Sequence, residues 1–231
     1  MTNQTYNNNY SYKKFLQYER MKYLNLILKK KINSILDVGC SIGQSFYYLK
    51  TKGFDGNYLG IDPDKKSIEI AQKNLFFKNC VFKNEKLEKF RSKKKFDAII
   101  FWSVIGYFED YERIYNKYYN YLNKNGFFLI FGNFNNSKNT DTVLHVLEKN
   151  SNNRLQKKKT GHNTFSLKKH NNFLKKKNMS LIVHRFNLNN ILARNKNNPY
   201  VSYTINFKNK KIIVSDLNIW HRFYHIAAKK N

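Results

Sequence analysis

The sequence predicts an α/β fold with parallel strands, and one continuous stretch carries most of that prediction. Residues 35–43 read Ile-Leu-Asp-Val-Gly-Cys-Ser-Ile-Gly, so an apolar strand (Ser34–Val38) runs straight into a turn of small residues. The pattern becomes helical over Gln44–Lys52 and stops at Gly53, and a second apolar strand, Asn57–Ile61, ends on Asp62. Strand, glycine turn, helix and strand form a βαβ unit, whose crossover makes the two strands parallel. With 231 residues, 41% of them hydrophobic and 16% aromatic, the chain is long and apolar enough to bury a substantial core.

The acids at the strand tips point to a ligand. In an open parallel sheet the carboxyl ends of the strands border the binding crevice, and a carboxylate at the second tip is placed to hold a ribose by its two hydroxyls. An adenosine-containing cofactor is therefore expected. The turn narrows the choice. A dinucleotide site needs Gly-x-Gly-x-x-Gly so that a pyrophosphate can approach bare backbone. Counted from Gly39, that register meets Ser41 and Gln44; the glycines are instead Gly39 and Gly43, with Asp37 two residues before the first.

This turn resembles the Asp/Glu-x-Gly-x-Gly-x-Gly motif of class I S-adenosylmethionine-dependent methyltransferases, with Ser41 in place of the middle glycine. The following residues match in order and spacing over roughly 32–135. Pro63-Asp64-Lys65-Lys66-Ser67-Ile68-Glu69-Ile70-Ala71 is similar to the helix after the family's "Gly-Ile-Asp", with Asp64 read as its N-cap. Cys80–Lys83 resembles the third strand and leads to Asn84-Glu85. Phe96–Ile105 resembles the fourth strand and its turn. Helix Tyr111–Leu122, the turn Asn123–Gly126 and the run Phe127–Phe131 resemble the approach to the fifth strand and the strand itself. The resemblance implies a Rossmann-like, mostly parallel seven-stranded sheet with helices on both faces. It also implies S-adenosyl-L-methionine as cofactor, contacted by Asp37, Gly39, Cys40, Ser41, Gly43, Asp62, Asn84 and Ser103. Within that set Asp37 serves the methionine end, Asp62 the ribose and Asn84 the adenine.

The remaining elements are read from pattern. Residues 1–11 are polar and Asn-rich; Tyr12–Lys30 has apolar residues at helical spacing and forms a leading helix (1–31 in all), which the resemblance implies closes over the cofactor with Tyr10 or Tyr12 against it. After the core of 32–135, residues 136–231 supply the last strands and the substrate side. Here a loop precedes a helix near Thr142–Lys149, and a basic, Asn-rich linker follows. Phe165–Lys177 is the last crossover helix and Ser180–Phe186 the sixth strand. Tyr200–Phe207 and Lys211–Ser215 flank a hairpin turn at Asn209-Lys210, and Phe223–Ala228 closes the sheet. The whole is read as a single domain.

The formal charge of +28 is the other conspicuous feature. Lys, Asn, Ile, Tyr and Phe all have A/T-rich codons, so codon composition accounts for much of the excess without a polyanionic partner. It is still uneven: residues 136–231 hold 20 Lys and Arg against 3 Asp and Glu. No apolar run approaches the ~18–20 residues of a membrane span, the first residues lack a secretory pattern, and two cysteines form no disulfide framework. A cytoplasmic location is expected.

No metal site is expected: His221 and His225, four apart, lack a third ligand nearby. Asn198-Pro199-Tyr200 is read as a turn. On the substrate side the candidates are Tyr107, His145 and His162, the histidines as possible bases. The turn Ser103–Phe108 resembles the small-molecule, lipid and glycan enzymes of the family, so the expected reaction is methylation, through oxygen, of a small or glycan-like acceptor. The alternatives are an RNA methyltransferase docking through the basic C-terminal region and a non-catalytic relative that keeps only the cofactor site.

Overall fold

A computed structural model of the chain describes residues 19–30, 32–73, 80–158, 161–186, 194, 196, 202–216 and 219–231. Its centre is a sheet whose main path runs in the order β3-β2-β1-β4-β5-β13-β9. The strands are β1 (Ser34–Val38), β2 (Asn57–Asp62), β3 (Cys80–Asn84), β4 (Phe96–Trp102), β5 (Leu122–Asn135), β9 (Met179–Arg185) and β13 (Phe223–Lys230). Pairings among β1 to β5 are parallel, while β13 runs antiparallel to both β5 and β9. An eighth, two-residue strand, β8 (Phe165–Ser166), extends the tip of β5 through Phe134. The expected seven-stranded, mostly parallel sheet is thus present with one small addition.

Alternation along the strands separates two cores. Leu36, Val38, Ile99, Phe101 and Phe128 face one side, under α4 (Tyr111–Tyr119) and α5 (Leu167–Lys176). Ile35, Ala98, Ile100 and Leu129 face the other, under α2 (Gln44–Thr51), α3 (Lys65–Lys73) and the leading segment. Near-continuous apolar strands such as Phe127–Phe131 are what burial on both faces requires. The helices start where short side chains can satisfy free N–H groups. Asp64 accepts from Ser67 N at 3.0 Å, Asp110 from Arg113 N at 2.9 Å and Ser166 from Lys169 N at 3.1 Å.

Three expectations need correction. The helix expected near Thr142–Lys149 is a strand, β6 (Val146–Lys149), paired antiparallel with β7 (Leu155–Lys158) across what reads as a linker. The Asn-rich turn favours this: Asn150 Oδ1 accepts from the N–H groups of Asn152 and Arg154, and Asn153 takes φ 59°. Local turn chemistry outweighs an apolar spacing that fits either structure. The leading segment is a 3₁₀ helix (Glu19–Leu24) followed by one α-helical turn, α1 (Asn25–Leu28), rather than a continuous helix over its described part. Tyr10 and Tyr12 lie outside the described residues, as does Asn198-Pro199-Tyr200. The hairpin turn sits one residue earlier than read, on Lys208 and Asn209 at φ 47° and 60°, between β10 (Tyr203–Phe207) and β11 (Lys210–Ser215). Two successive left-handed residues suit the twist of a two-residue hairpin.

β10, β11 and β12 (Ile219–His221) form a separate three-stranded sheet inserted between β9 and β13. β9 runs parallel to β5 through their shared neighbour β13, so this insertion begins and ends at the carboxyl tips of the parallel strands. Residues 136–164, carrying the β6–β7 hairpin, leave from the tip of β5 on the same edge. Both insertions therefore belong to the edge where a ligand crevice forms.

Candidate active site

Strand order reverses between β1 and β4, and open α/β sheets bind their ligands beyond the carboxyl tips of the strands at such a point. At the tip of β1, Gly39 takes φ 77°, and its N–H donates to Ile61 O at 2.8 Å. A Cβ built on it would lie 2.8 Å from Val104 Cγ2, so any side chain here collides with the turn after β4 and strains the backbone. Ser41 also has positive φ (50°), and Gly43 closes the turn by donating to Cys40 O at 3.0 Å before α2 begins. Cys40 differs from expectation in one respect. Its thiol points into the core above Gly60, where burial pushes its pKa well up, so only its backbone belongs to the turn.

Asp62 ties the two tips together. Its Oδ2 accepts from Ser41 N at 2.9 Å and its Oδ1 from Asp64 N at 2.8 Å. Each oxygen thus takes one backbone bond and retains a further lone-pair direction for a ligand hydroxyl. Burial raises its pKa while the two N–H groups oppose that rise. Asn84, at the tip of β3, donates to Asp62 O at 3.1 Å and so braces the same strand end. Ser103 follows β4 at φ 57°, exposed, its N–H on Phe131 O.

Asp37 is wholly buried beneath this turn. Tyr58 donates to its Oδ2, while Oδ1 has no hydrogen-bond partner among the described residues. Burial pushes its pKa up to about 7, against the opposing effects of the Tyr58 and Ser45 hydroxyls. An unsatisfied buried carboxylate oxygen calls for a cationic or N–H donor. The protein carries a large positive charge overall, yet this strand edge holds two carboxylates, Asp62 at the tip of β2 and Asp37 buried beneath the turn. These residues fit S-adenosylmethionine, which carries an ammonium group, a vicinal ribose diol and a sulfonium charge.

The residues expected on the substrate side lie beyond the tips of β4 and β5. Tyr107 is exposed on a 3₁₀ turn (Ile105–Tyr107), its ring against Gly161. His145 is on the outer surface, 3.4 Å from a Glu109 carboxylate that also takes Lys157 at 2.5 Å. His162 is half-buried, its pKa lowered by burial, with its ring centroid 5.1 Å from His221. Sequence reasoning weighed His221 only as a metal ligand and did not place it beside His162, since it comes from the other insertion. Only the fold brings residues 162 and 221 together, and their spacing in the chain holds no signal of it. His225, read beside His221, instead stacks on Tyr23 at 3.9 Å and packs on Trp102 and Phe131. The two histidines lie on strands, not on a helix face, and among the described residues no group of His, Cys, Asp and Glu could hold a metal ion.

Comparison with known proteins agrees with this geometry. A sequence profile described as a methyltransferase domain matches residues 29–230. An uncharacterized protein of Methanocaldococcus jannaschii is 30% identical over 131 residues, which is 55% of this chain and 35% of that protein, so the chain spans about a third of that relative's length. Among solved structures, the plantazolicin methyltransferase BpumL in complex with a pentazolic desmethyl analog and SAH is similar at 19% identity. Its TM-score is 0.59, with 99% of this chain and 89% of that one covered. An S-adenosylmethionine-dependent methyltransferase of Mesorhizobium loti is similar at 13% identity, with a TM-score of 0.60 and 94% and 100% of the two chains covered. By a profile that matches residues 29–230, over a sheet of the same architecture as these structures, the chain belongs to the family described as a methyltransferase domain.

Proposed function

We propose that the chain transfers a methyl group from S-adenosylmethionine to an oxygen of a small-molecule, lipid or glycan acceptor. One observation supports the acceptor class most. The wall beside the tips of β4 and β5 is a run of rings: Trp102 stacks on Phe131 at 5.2 Å, Phe131 on Phe223 at 5.1 Å, and Phe223 on His221 at 5.4 Å. His162 and His221 at its end are held neutral near pH 7, both lowered chiefly by burial. An aromatic, uncharged wall favours an apolar or aromatic acceptor, whereas a phosphate backbone asks for Lys and Arg at the reacting end. The plantazolicin methyltransferase, in complex with a pentazolic desmethyl analog and SAH, offers a parallel for a heteroaromatic acceptor.

When bound, S-adenosylmethionine supplies an electrophilic methyl carbon on sulfur. Asp37 would meet its ammonium group, Asp62 the ribose diol, and the bare backbone at Gly39 would allow close approach. Asn84 would reach the adenine end, and Ser103 borders the methyl end. The chain's own part would be to hold the acceptor oxygen beside the methyl end and keep water from it. The hydroxyl proton must leave, and the neutral imidazole of His162 is the group on this side able to take it. Tyr107 and His145 stand further out and would contribute only to a larger acceptor.

Label transfer from methyl-labelled S-adenosylmethionine tests the reading against small-molecule, glycan and RNA fractions. Label in the first two is the expected result. Label in RNA would refute it, together with binding whose steep salt dependence collapses on converting Lys157, Lys158 and Lys159 to Gln.

A further inference from the structure

We propose that His221 orients the acceptor: its Nε2–H donates a hydrogen bond to an acceptor oxygen, and Asn133 locks the ring in the tautomer that makes this donation possible. The inference rests on the methyl-transfer reading above, and it identifies a specificity-determining residue on the acceptor side.

The argument starts from a backbone group that can only donate. Arg222 N lies 2.7 Å from Asn133 Oδ1, which settles which end of the Asn133 amide is oxygen. The amide nitrogen therefore faces Thr164 Oγ1 at 2.9 Å and His221 Nδ1 at 3.1 Å. An amide nitrogen also only donates, so His221 Nδ1 accepts and carries no proton. A neutral imidazole has one ring proton, which must then sit on Nε2. That atom is buried and has no hydrogen-bond partner among the described residues. Burial, aided by His162, lowers the pKa of the ring to about 3, so the neutral form prevails at physiological pH.

A buried N–H without a partner costs roughly 1–3 kcal/mol, and such a group in a native fold asks for a functional reason. Its position supplies one. Asn133 lies two residues beyond Phe131, whose carbonyl accepts from Ser103 N at the tip of β4. Phe223, directly after the Arg222 that anchors Asn133, is its register partner on β13. The ring is 5% exposed and is packed between side chains, stacked on Phe223 and tilted against His162. The donor is thus rigid, desolvated and at the methyl-donor edge of the sheet. It matches an acceptor that presents an oxygen lone pair, as in a phenol, hydroxyl or carboxylate, and it would repel an ammonium group.

Benzoate, whose ring suits the aromatic wall and whose oxygens accept, serves as probe, added to the full chain saturated with S-adenosylhomocysteine. Long-range ¹H–¹⁵N spectra of the histidine-labelled protein should show His221 protonated on Nε2 and bare on Nδ1 from pH 6 to 8, with the Nε2 proton moving downfield as benzoate is added. His221→Phe should weaken benzoate about five- to tenfold, and His221→Gln, which keeps a side-chain N–H, should recover most of that loss. Asn133→Asp, which replaces the donor with an acceptor of the same shape, should draw the proton to Nδ1 and weaken benzoate equally while S-adenosylhomocysteine still binds. A wild-type ring protonated on Nδ1, a benzoate titration that leaves His221 unmoved, or unchanged benzoate affinity in His221→Phe would overturn the assignment. Failure of the wild-type chain to bind S-adenosylhomocysteine would instead strike the methyl-transfer reading, on which the tautomer measurement does not depend.

Discussion

Replacing Asp37 by Asn should stabilise the ligand-free protein and weaken its cofactor, two effects of opposite sign from one atom. Asp37 is fully buried, accepts from Tyr58 on Oδ2, and has nothing on Oδ1 among the described residues. Its pKa is raised from 3.8 to about 7, chiefly by burial. Between those values the folded state holds a proton that the unfolded chain releases, so stability falls as pH rises through that window. A rise of about three units at about 1.4 kcal/mol each makes the full loss roughly 4 kcal/mol, complete above pH 7. Asn has the same shape, accepts from Tyr58 in the same way and never ionises. Urea unfolding of the ligand-free variant should therefore lack this fall between pH 4 and 8, and at pH 8 the variant should be the more stable protein by a few kcal/mol. Calorimetric titration at pH 8 should show weaker S-adenosylmethionine binding, by about 1.5–3 kcal/mol, for the lost charge-assisted hydrogen bond. Parallel stability curves for the two proteins over pH 4–8 would refute the argument, because a carboxylate that ionises freely in the fold carries no such penalty.

Gly39→Val should abolish cofactor binding in equilibrium dialysis, since its Cβ would lie 2.8 Å from Val104 Cγ2 at φ 77°; normal turnover would show that the turn does not carry the cofactor. Asp62→Ala should lower S-adenosylmethionine affinity by about 1.5–3 kcal/mol by calorimetry, with the far-ultraviolet circular dichroism unchanged, and equal affinity would remove the ribose assignment. Gly106→Ala should lower stability by about 1–3 kcal/mol in urea unfolding, because the new methyl would sit 2.2 Å from Gly161 O, a backbone atom that cannot swing aside.

The cofactor half of the molecule was legible because its signals are local. A strand, a turn that tolerates positive φ, a helix and an acid at the next strand tip are each set by residues within a few positions of one another. Asp37, Gly39 and Asp62 could therefore be located before any contact was known, and Asp64 was correctly read as the cap that accepts from Ser67. Misreadings came where two structures compete for one pattern. Val143, Leu144, Val146 and Leu147 suit a helix or a strand, and the Asn150 side chain, by bonding to the turn that follows, decides for the hairpin. The depth of Asp37 and the inward turn of the Cys40 thiol were also hidden, since burial depends on residues such as Tyr58 and Phe82 from other strands.

The sequence by itself determined the parallel core, the glycine turn and the acids at the tips of β1 and β2, because each rests on periodicity and on the conformational demands of single residues. Tertiary structure alone decided which groups gather on the proposed acceptor side. His162 and His221 stand in separate insertions, Asn133 on a third element, and the proton on His221 is placed by an amide oriented by a backbone N–H 89 positions away in the chain. Hydrogen-bond direction across such distances has no local trace in the chain, so the chemistry of that corner emerges only when the strands are in register.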